Sequence, residues 1–434
     1  MDELERAGSA ACSENVSIGH WEFTGRCWRV RSIREVVWRA SGGWQYDLVS
    51  APLDVGLDEL RTRRSAKWTS YPVDVLPLPV AEMDVHLAPP IAAVLHAAVQ
   101  QSDTGYCGDA TALRGAFSGF AARRWHWDVD PSSVRTCADV AAGVTEVLRL
   151  LTVPGDKVIL TPPVYPPFWS WLQAVGATPV EVPLLESLNG GRLDLAAIDQ
   201  AMAAGSKVML LCSPHNPTGL VHEIDDLRAL ATLAARHDVT VLADEIHAPL
   251  TLPGSSYSPY LAVSDNAAAT GIAFHSASKA WNLAGLKSAL ITAAHPRQLE
   301  RLGALPHEVP WSVGHFGMLA AAAAYEQGES WLDGLLGALA SNYLLLANLL
   351  QQHLPQVRFG VPQASYLAWL DCRDLGLGSN PAPVFLDHGR VAVSAGADFG
   401  PAGHGFIRLN IACHPDVLRE AITRMAAAHR HSVT

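Results

Sequence analysis

The sequence predicts an α/β protein, with one domain built on a mostly parallel sheet between helices and a second, smaller α+β domain. Two observations carry this. Between about residues 155 and 295 short apolar, β-branched runs alternate with helix-patterned stretches, and after about residue 300 that alternation stops. The strand candidates of the first part are 157–160, 207–212, 239–243, 271–274 and 288–292. Helical patterns fall between them, as at 224–237, where Leu227, Leu230, Leu233 and Ala234 recur at helical spacing, and a further helix is expected just before, at 144–151. In such sheets ligands gather at the carboxyl ends of the strands. The second part holds an alanine- and leucine-rich region, 317–354, read as two helices broken near Gly328. Strand candidates at 365–371 and 405–411 follow, then a closing helix at 415–429.

Composition narrows the function. The 434 residues are 49% hydrophobic, enough for more than one core, and the net charge is −11. An acidic chain without a basic run gains little from counterion release, so nucleic acid is not an expected partner. The early arginines Arg26, Arg29, Arg31 and Arg34, interleaved with Trp21, Trp28 and Trp38, read as a solvated arm. The seven cysteines are scattered, with no C-x-x-C, which fits neither a disulfide framework nor a zinc site. The eighteen histidines form no cluster at ligand spacing, so no metal is expected. The start, Met1-Asp2-Glu3-Leu4-Glu5, is acidic and is not followed by the apolar run of a secretory signal. The longest apolar stretch, near Met318 to Tyr325, is too short to span a bilayer. No membrane partner and a cytoplasmic location are expected.

Four motifs then occur in one order. Ser213-Pro214-His215-Asn216-Pro217-Thr218-Gly219 follows a strand, Ala243-Asp244-Glu245-Ile246-His247 ends the next, Ser276-Ala277-Ser278-Lys279 follows another, and Phe406-Ile407-Arg408-Leu409-Asn410 lies near the C-terminus. Taken singly each has a bland reading: a turn, an N-cap, a solvated loop lysine, a surface ion pair. Their separations do not. From Asn216 to Asp244 is 244 − 216 = 28 residues and from Asp244 to Lys279 is 279 − 244 = 35, each the length of one strand–helix unit.

Together the residues meet the needs of pyridoxal 5′-phosphate (PLP) chemistry. Lys279 is the amine for the cofactor aldehyde. Asp244 can keep the pyridine nitrogen protonated. Asn216 can reach the phenolic oxygen, and Tyr165 can stack on the ring. Gly143 and Val144, opening a predicted helix, can offer amides to the phosphate, with Ser276, Ser278 and Lys287 adding polar contacts. Arg408 can clamp a substrate carboxylate through two N–H groups.

The motifs resemble class I/II aminotransferases, which are fold type I PLP enzymes, and finer features resemble the MalY/PatB-type cystathionine β-lyases. These features are Asp74-Val75-Leu76-Pro77-Leu78-Pro79-Val80-Ala81-Glu82-Met83-Asp84, Thr104-Gly105-Tyr106, Asp244-Glu245-Ile246-His247-Ala248-Pro249-Leu250, Ser278-Lys279-Ala280-Trp281-Asn282-Leu283-Ala284-Gly285-Leu286-Lys287, and Asp398-Phe399-Gly400. The resemblance runs from about Leu57 to the end. It implies an aminotransferase-like large domain with a seven-stranded-type sheet. It also implies a division into an extension (1–50), an arm contributing to the small domain (51–85), a large PLP-binding domain (86–300) and a small C-terminal domain (301–434).

By the same resemblance, Lys279, Asp244 and Tyr165 are catalytic, and His247 joins Asn216 at the phenolic oxygen. Tyr106 reaches the cofactor phosphate of a neighbouring subunit, which implies a homodimer with shared sites, and also borders the substrate held by Arg408. The implied reaction is α,β-elimination of cystathionine or another S-substituted cysteine to thiol, pyruvate and ammonia. Transamination shares its early steps, and a specialised enzyme acting on an S-conjugate or a regulatory protein on the same fold are the other readings. Two departures stand out. Pro79 occupies a position where relatives often carry tryptophan, and Cys107 follows Tyr106 where another polar or aromatic residue is common.

Overall fold

The computed structural model describes residues 15–24, 27–37, 52–185 and 191–433, the first two stretches as backbone only. The chain separates into two compact units, Met1–Ser50 and Ala51–Thr434. In the first, β1 (Asn15–Thr24) and β2 (Cys27–Val37) pair antiparallel, from Asn15 opposite Val37 to Thr24 opposite Cys27, with an irregularity between His20 and Trp21. No period in the sequence announced this hairpin. The side chains of the arginines and tryptophans read as a solvated arm lie outside the described residues.

In the second unit two short helices, Leu57–Leu60 and Ala66–Thr69, precede a short strand, β3 (Leu76–Pro77), and a seven-stranded sheet follows. Its strands are β4 (Val134–Cys137), β5 (Lys157–Leu160), β6 (Thr178–Glu181), β7 (Ser206–Cys212), β8 (Thr240–Asp244), β9 (Gly271–His275) and β10 (Ala289–Thr292). They lie in the order β4-β10-β9-β8-β7-β5-β6. All pairings are parallel except those of β10, which runs against both β4 and β9. The five expected runs are found to within one residue. The strands not expected, β4 and β6, are short edge strands. β6 carries a proline and is largely exposed, so it lacks the apolar run that marks a central strand.

The inner strands are buried on both faces, and their residues alternate between two cores. Met209, Leu211, Val241, Ala243 and Ala273 belong to one, while Val208, Leu210, Cys212, Leu242, Ile272 and Phe274 belong to the other. The helix Ile224–His237 shows why the covering layer forms. Leu227, Leu230, Ala231 and Ala234 are buried on one stripe, Asp225 and Asp226 occupy the first turn, and Arg236 and His237 the last. Two further sheets follow. β11 (Arg358–Phe359), β12 (Leu367–Asp371), β14 (Ser394–Ala395) and β15 (Phe406–Asn410) form an antiparallel sheet in the order β11-β12-β15-β14, and β13 (Val391–Ala392) pairs in parallel with β3.

The region at 317–354 is two helices, His315–Gln327 and Glu329–His353, meeting at Gly328. A Cβ at Gly328 would lie 2.6 Å from the Trp281 indole nitrogen and 2.5 Å from the Ala324 carbonyl oxygen, so the junction admits only glycine. Glu329–His353, rather than the stretch near Met318, is the described helix long and apolar enough to cross a membrane. It buries Trp331, Leu332, Leu335, Leu336, Leu339 and Leu346 among others in the larger core.

Candidate active site

Strands β7, β8 and β9 are neighbours, so the motifs that follow them emerge side by side at one edge of the sheet. Asp244 is the last residue of β8 and is buried. Its Oδ1 accepts from the Ile246 N–H at 3.2 Å, and burial lifts its carboxyl to about 6 against a smaller opposing effect of Lys279. Lys279 follows β9. Burial, and then the Arg408 charge, bring its amine down to about 8, while Asp244 and Glu82 act the other way. Its Nζ donates to the Ala81 carbonyl at 3.0 Å. Burial and the Asp244 charge push the Tyr165 phenol up, which places this ring in the same field. His247 is buried and neutral, brought down to about 3 first by burial and then by the Lys279 and Arg408 charges, and its Nδ1 has no partner.

Arg408 reaches the same place from β15. Its Nη1 donates to Asn216 Oδ1 at 3.0 Å, and its Nη2 to the Pro79 carbonyl at 2.9 Å and to Ser394 Oγ at 3.2 Å. Its guanidinium carbon stands 4.9 Å from the centre of the Phe399 ring, and its Nε is buried without a partner. The structure therefore brings together Asn216, Asp244, His247, Lys279, Tyr165 and Arg408, which are far apart in the sequence.

The segment from Pro79 to Met83 ties these groups together through its backbone. The Pro79 carbonyl takes Arg408, and the Ala81 carbonyl takes both Lys279 and the Tyr366 hydroxyl at 3.0 Å. Asn410 Nδ2 donates to the Val80 and Glu82 carbonyls at 2.7 Å, Lys67 Nζ to the Glu82 carbonyl at 3.2 Å, and Asn282 Nδ2 to the Met83 carbonyl at 3.0 Å. Beneath it the Lys67–Asp84 ion pair, 2.8 Å long, is wholly buried, with the Trp68 indole N–H donating to Asp84 at 3.1 Å. Tyr366, Asn410 and the Lys67–Asp84 pair were not singled out from the sequence as functional. Asn410 stood inside a quoted motif, and Lys67-Trp68 carries no pattern of its own.

The helix expected to open at Gly143 and Val144 instead begins at Val140 and is capped by Asp139, whose Oδ1 accepts from the Ala142 N–H at 2.8 Å. An aspartate ahead of an apolar run is a helix-start signal, and it had been available in the sequence. The first-turn amides are thus those of Val140, Ala141 and Ala142. Gly143 lies inside the helix, its N–H donating to the Asp139 carbonyl, and a Cβ there would meet Cys137 Sγ at 2.8 Å. Asp139 Oδ2 pairs with Lys287 Nζ at 2.9 Å. Ser276 Oγ donates to the Ser288 carbonyl at 2.7 Å and accepts from the Ser278 N–H at 3.1 Å, which fixes the turn leading into Lys279. Tyr106 is not brought to these groups within the chain. It is 87% exposed, its ring 6.0 Å from that of Trp311.

Glu245, next to Asp244, points away into the core. Its Oε1 accepts from the Tyr260 N–H at 2.7 Å, and its Oε2 lies 3.3 Å from His275 Nε2. Burial lifts Glu245 to about 8 and brings His275 down to about 3, so at neutral pH the acid is protonated and the imidazole neutral.

The model of the aminotransferase class I and II family matches residues 79–425. The chain belongs to that family. It is 44% identical over 404 residues to a Mycobacterium leprae protein provisionally named a cystathionine β-lyase, covering 88% of this chain and 99% of the relative. It is 32% identical to the cystathionine β-lyase PatB of Bacillus subtilis, over 84% of this chain and 96% of that one. Among solved structures, cystalysin of Treponema denticola, which contains a pyridoxal 5′-phosphate cofactor, superposes with a TM-score of 0.81 at 25% identity, over 90% of this chain and all of that one. The resemblance to MalY/PatB-type lyases, and the fold it implied, are borne out.

Proposed function

We propose that the chain is a PLP-dependent carbon–sulfur β-lyase that converts an S-substituted cysteine such as cystathionine to thiol, pyruvate and ammonia. The observation that carries this is the convergence of Lys279, Asp244 and Arg408 at one strand edge, the amine brought down to about 8 and the carboxyl lifted to about 6. The residues fit the cofactor. Asp244 is a buried carboxylate short of a cation, His247 Nδ1 is a buried ring nitrogen short of a partner, and Lys279 is an amine with appreciable neutral character.

PLP, when bound, supplies the electron sink for the pair left on the substrate Cα. Lys279 would hold its aldehyde, and its amine would serve as the general base for the Cα proton. Asp244 keeps a proton on the ring nitrogen, since a carboxylate against a pyridinium favours the charged form of both. Arg408, its guanidinium held by Asn216 and the Pro79 carbonyl, binds the α-carboxylate and thereby orients the Cα–H bond. His247 and Asn216 would serve the phenolic oxygen, Tyr165 would cover the ring, and Ser276, Ser278, Lys287 and the first-turn amides from Val140 would serve the phosphate. When the Cα proton is lost the Cβ–S bond breaks, the thiolate leaves, and water completes the conversion to pyruvate and ammonia.

Tyr106 serves the site of a neighbouring subunit, so the working enzyme is a homodimer. Its exposure and its pairing with Trp311 support this. The division into an arm (51–85), a large domain (86–300) and a small domain (301–434) belongs to the same proposal, as does a cytoplasmic location, which the five free cysteines among the described residues support.

The test is purified protein mixed with cystathionine and a panel of S-substituted cysteines, with pyruvate and thiol as readouts. The reading expects equal amounts of both over many turnovers without a keto acid, a particle of twice 46.4 kDa in solution, and loss of activity by about 10³-fold or more in Lys279→Ala. Turnover only when a keto acid is added would reassign the enzyme as an aminotransferase.

A further inference from the structure

Lys287, the cation expected to meet the cofactor phosphate, already has an anion in this chain. Asp139 stands two residues past β4, at the start of the helix Val140–Leu151. Because β10 runs antiparallel to both β4 and β9, β4 points the same way as β9, and Asp139 emerges at the strand edge that carries Asp244 and Lys279. The Tyr165 phenol feels the charges of both Asp244 and Asp139, which places Asp139 within electrostatic reach of the site.

Both carboxylate oxygens of Asp139 are engaged by groups a phosphate would use. Oδ1 takes the Ala142 N–H at 2.8 Å, and Oδ2 takes Lys287 Nζ at 2.9 Å. Its backbone carbonyl accepts from the Gly143 N–H at 3.0 Å and from Cys137 Sγ at 3.3 Å, so the residue is fixed from both sides. Lys287 is correspondingly committed: its backbone adopts a left-handed conformation, φ 60°, and Asp139 is its salt-bridge partner. Asp194 and Asp130 cap other helical turns in the same manner, but neither pairs with a lysine. What sets Asp139 apart is the pairing with Lys287 beside the site.

We propose that the Asp139 carboxylate is a built-in counter-anion for the cofactor's phosphate seat. It offsets the charge of Lys287 and of the first helical turn, and it competes with a phosphate for both. A dianion arriving next to a fixed carboxylate is repelled, and it must share the charge of Lys287 with an existing ion pair. Asp139 therefore weakens the hold on PLP and makes loading and release responsive to salt and to competing phosphate. This inference rests on the PLP-enzyme reading above.

The experiment is titration of the cofactor-free protein with PLP, and separately with pyridoxal, which lacks the phosphate. Binding is followed by the absorbance band that Lys279→Ala abolishes. Asp139→Asn and Asp139→Ser both keep a side chain able to cap the helix, so a folding defect in one does not remove the test. Both variants are expected to bind PLP about tenfold more tightly than the parent at low salt, and inorganic phosphate is expected to compete more strongly with it. Pyridoxal affinity is expected to stay within about twofold. Equal or weaker PLP binding in the variants, or an equal change for pyridoxal, would overturn the role of Asp139 alone. Absence of a lysine-dependent band in the parent and in both variants would overturn the functional reading, and this inference with it.

Discussion

Asp244 and Asp139 stand at the same edge of the same sheet, and they are in opposite electrostatic states. Asp244 is buried, accepts one backbone N–H, and is pushed up to about 6 because the nearest cation, Lys279, does not compensate its desolvation. Asp139 is partly exposed and sits below its ordinary range, because the Ala142 N–H and Lys287 outweigh its burial. One carboxylate lacks a cation and the other already holds one. The difference teaches how a single edge can both attract a protonated aromatic nitrogen and temper its grip on a phosphate.

The comparison breaks most visibly at Asp244. Asp244→Asn keeps the shape and removes the charge, and kcat is expected to fall by about 10² to 10³-fold with cofactor saturating. Steady-state pyruvate release measures this, and an unchanged kcat would mean that Asp244 faces nothing cationic during turnover.

A third carboxylate sharpens the contrast. Glu245 is lifted from 4.5 to about 8, so the folded chain keeps a proton that the unfolded chain releases. Its contribution is complete below about pH 4.5 and is lost as pH rises through 8. Buried His275 has the reverse sign, because its lowered value makes the folded chain bind fewer protons, and its stabilisation is lost as pH falls below 6.5 toward 3. Between pH 6.5 and 8, then, Glu245 dominates this pair. Thermal unfolding of the parent should fall over that window by the equivalent of about 1–2 kcal/mol, and Glu245→Gln should flatten the slope. Parallel slopes in the two proteins would show that the acid is ionised in the fold.

The smallest effect is expected at Asp139 in the cofactor-free chain. Asp139→Asn loses the charge on the helix start and the pairing with Lys287 but keeps a cap, so stability should drop by about 0.5–1 kcal/mol, and by less in high salt. Denaturant titration at two salt concentrations would detect it.

The central strands were legible because β7, β8 and β9 are buried on both faces and therefore read as unbroken apolar runs. Their motifs were legible because the chemistry requires particular residue types at strand ends. What the sequence hid is of another kind. β4 and β6 are no shorter than β5 and β10, but they are too polar to announce themselves. The helix at 140 was placed late because Val140, Ala141 and Ala142 have no helical periodicity until the turn is counted from Asp139. Tyr366 and Lys67 act on carbonyl oxygens of residues 81 and 82, and no side-chain pattern encodes which backbone atom a distant residue will meet. Whether Tyr106 joins a site is a property of two chains, which one chain's pattern does not specify.

The strap from Pro79 to Met83 has a consequence for how this enzyme can diverge. Its contacts to Arg408, Lys279, Tyr366, Asn410, Lys67 and Asn282 run through main-chain oxygens, which every residue type possesses. Side chains along it can therefore change without unhooking the amine or the guanidinium. Pro79 is an example: it meets Arg408 through its carbonyl, so another side chain at that position would leave the contact in place. Geometry at the reacting carbon and room for the departing group are thereby inherited separately, and a new sulfur substituent can be accommodated while the chemistry stays in place.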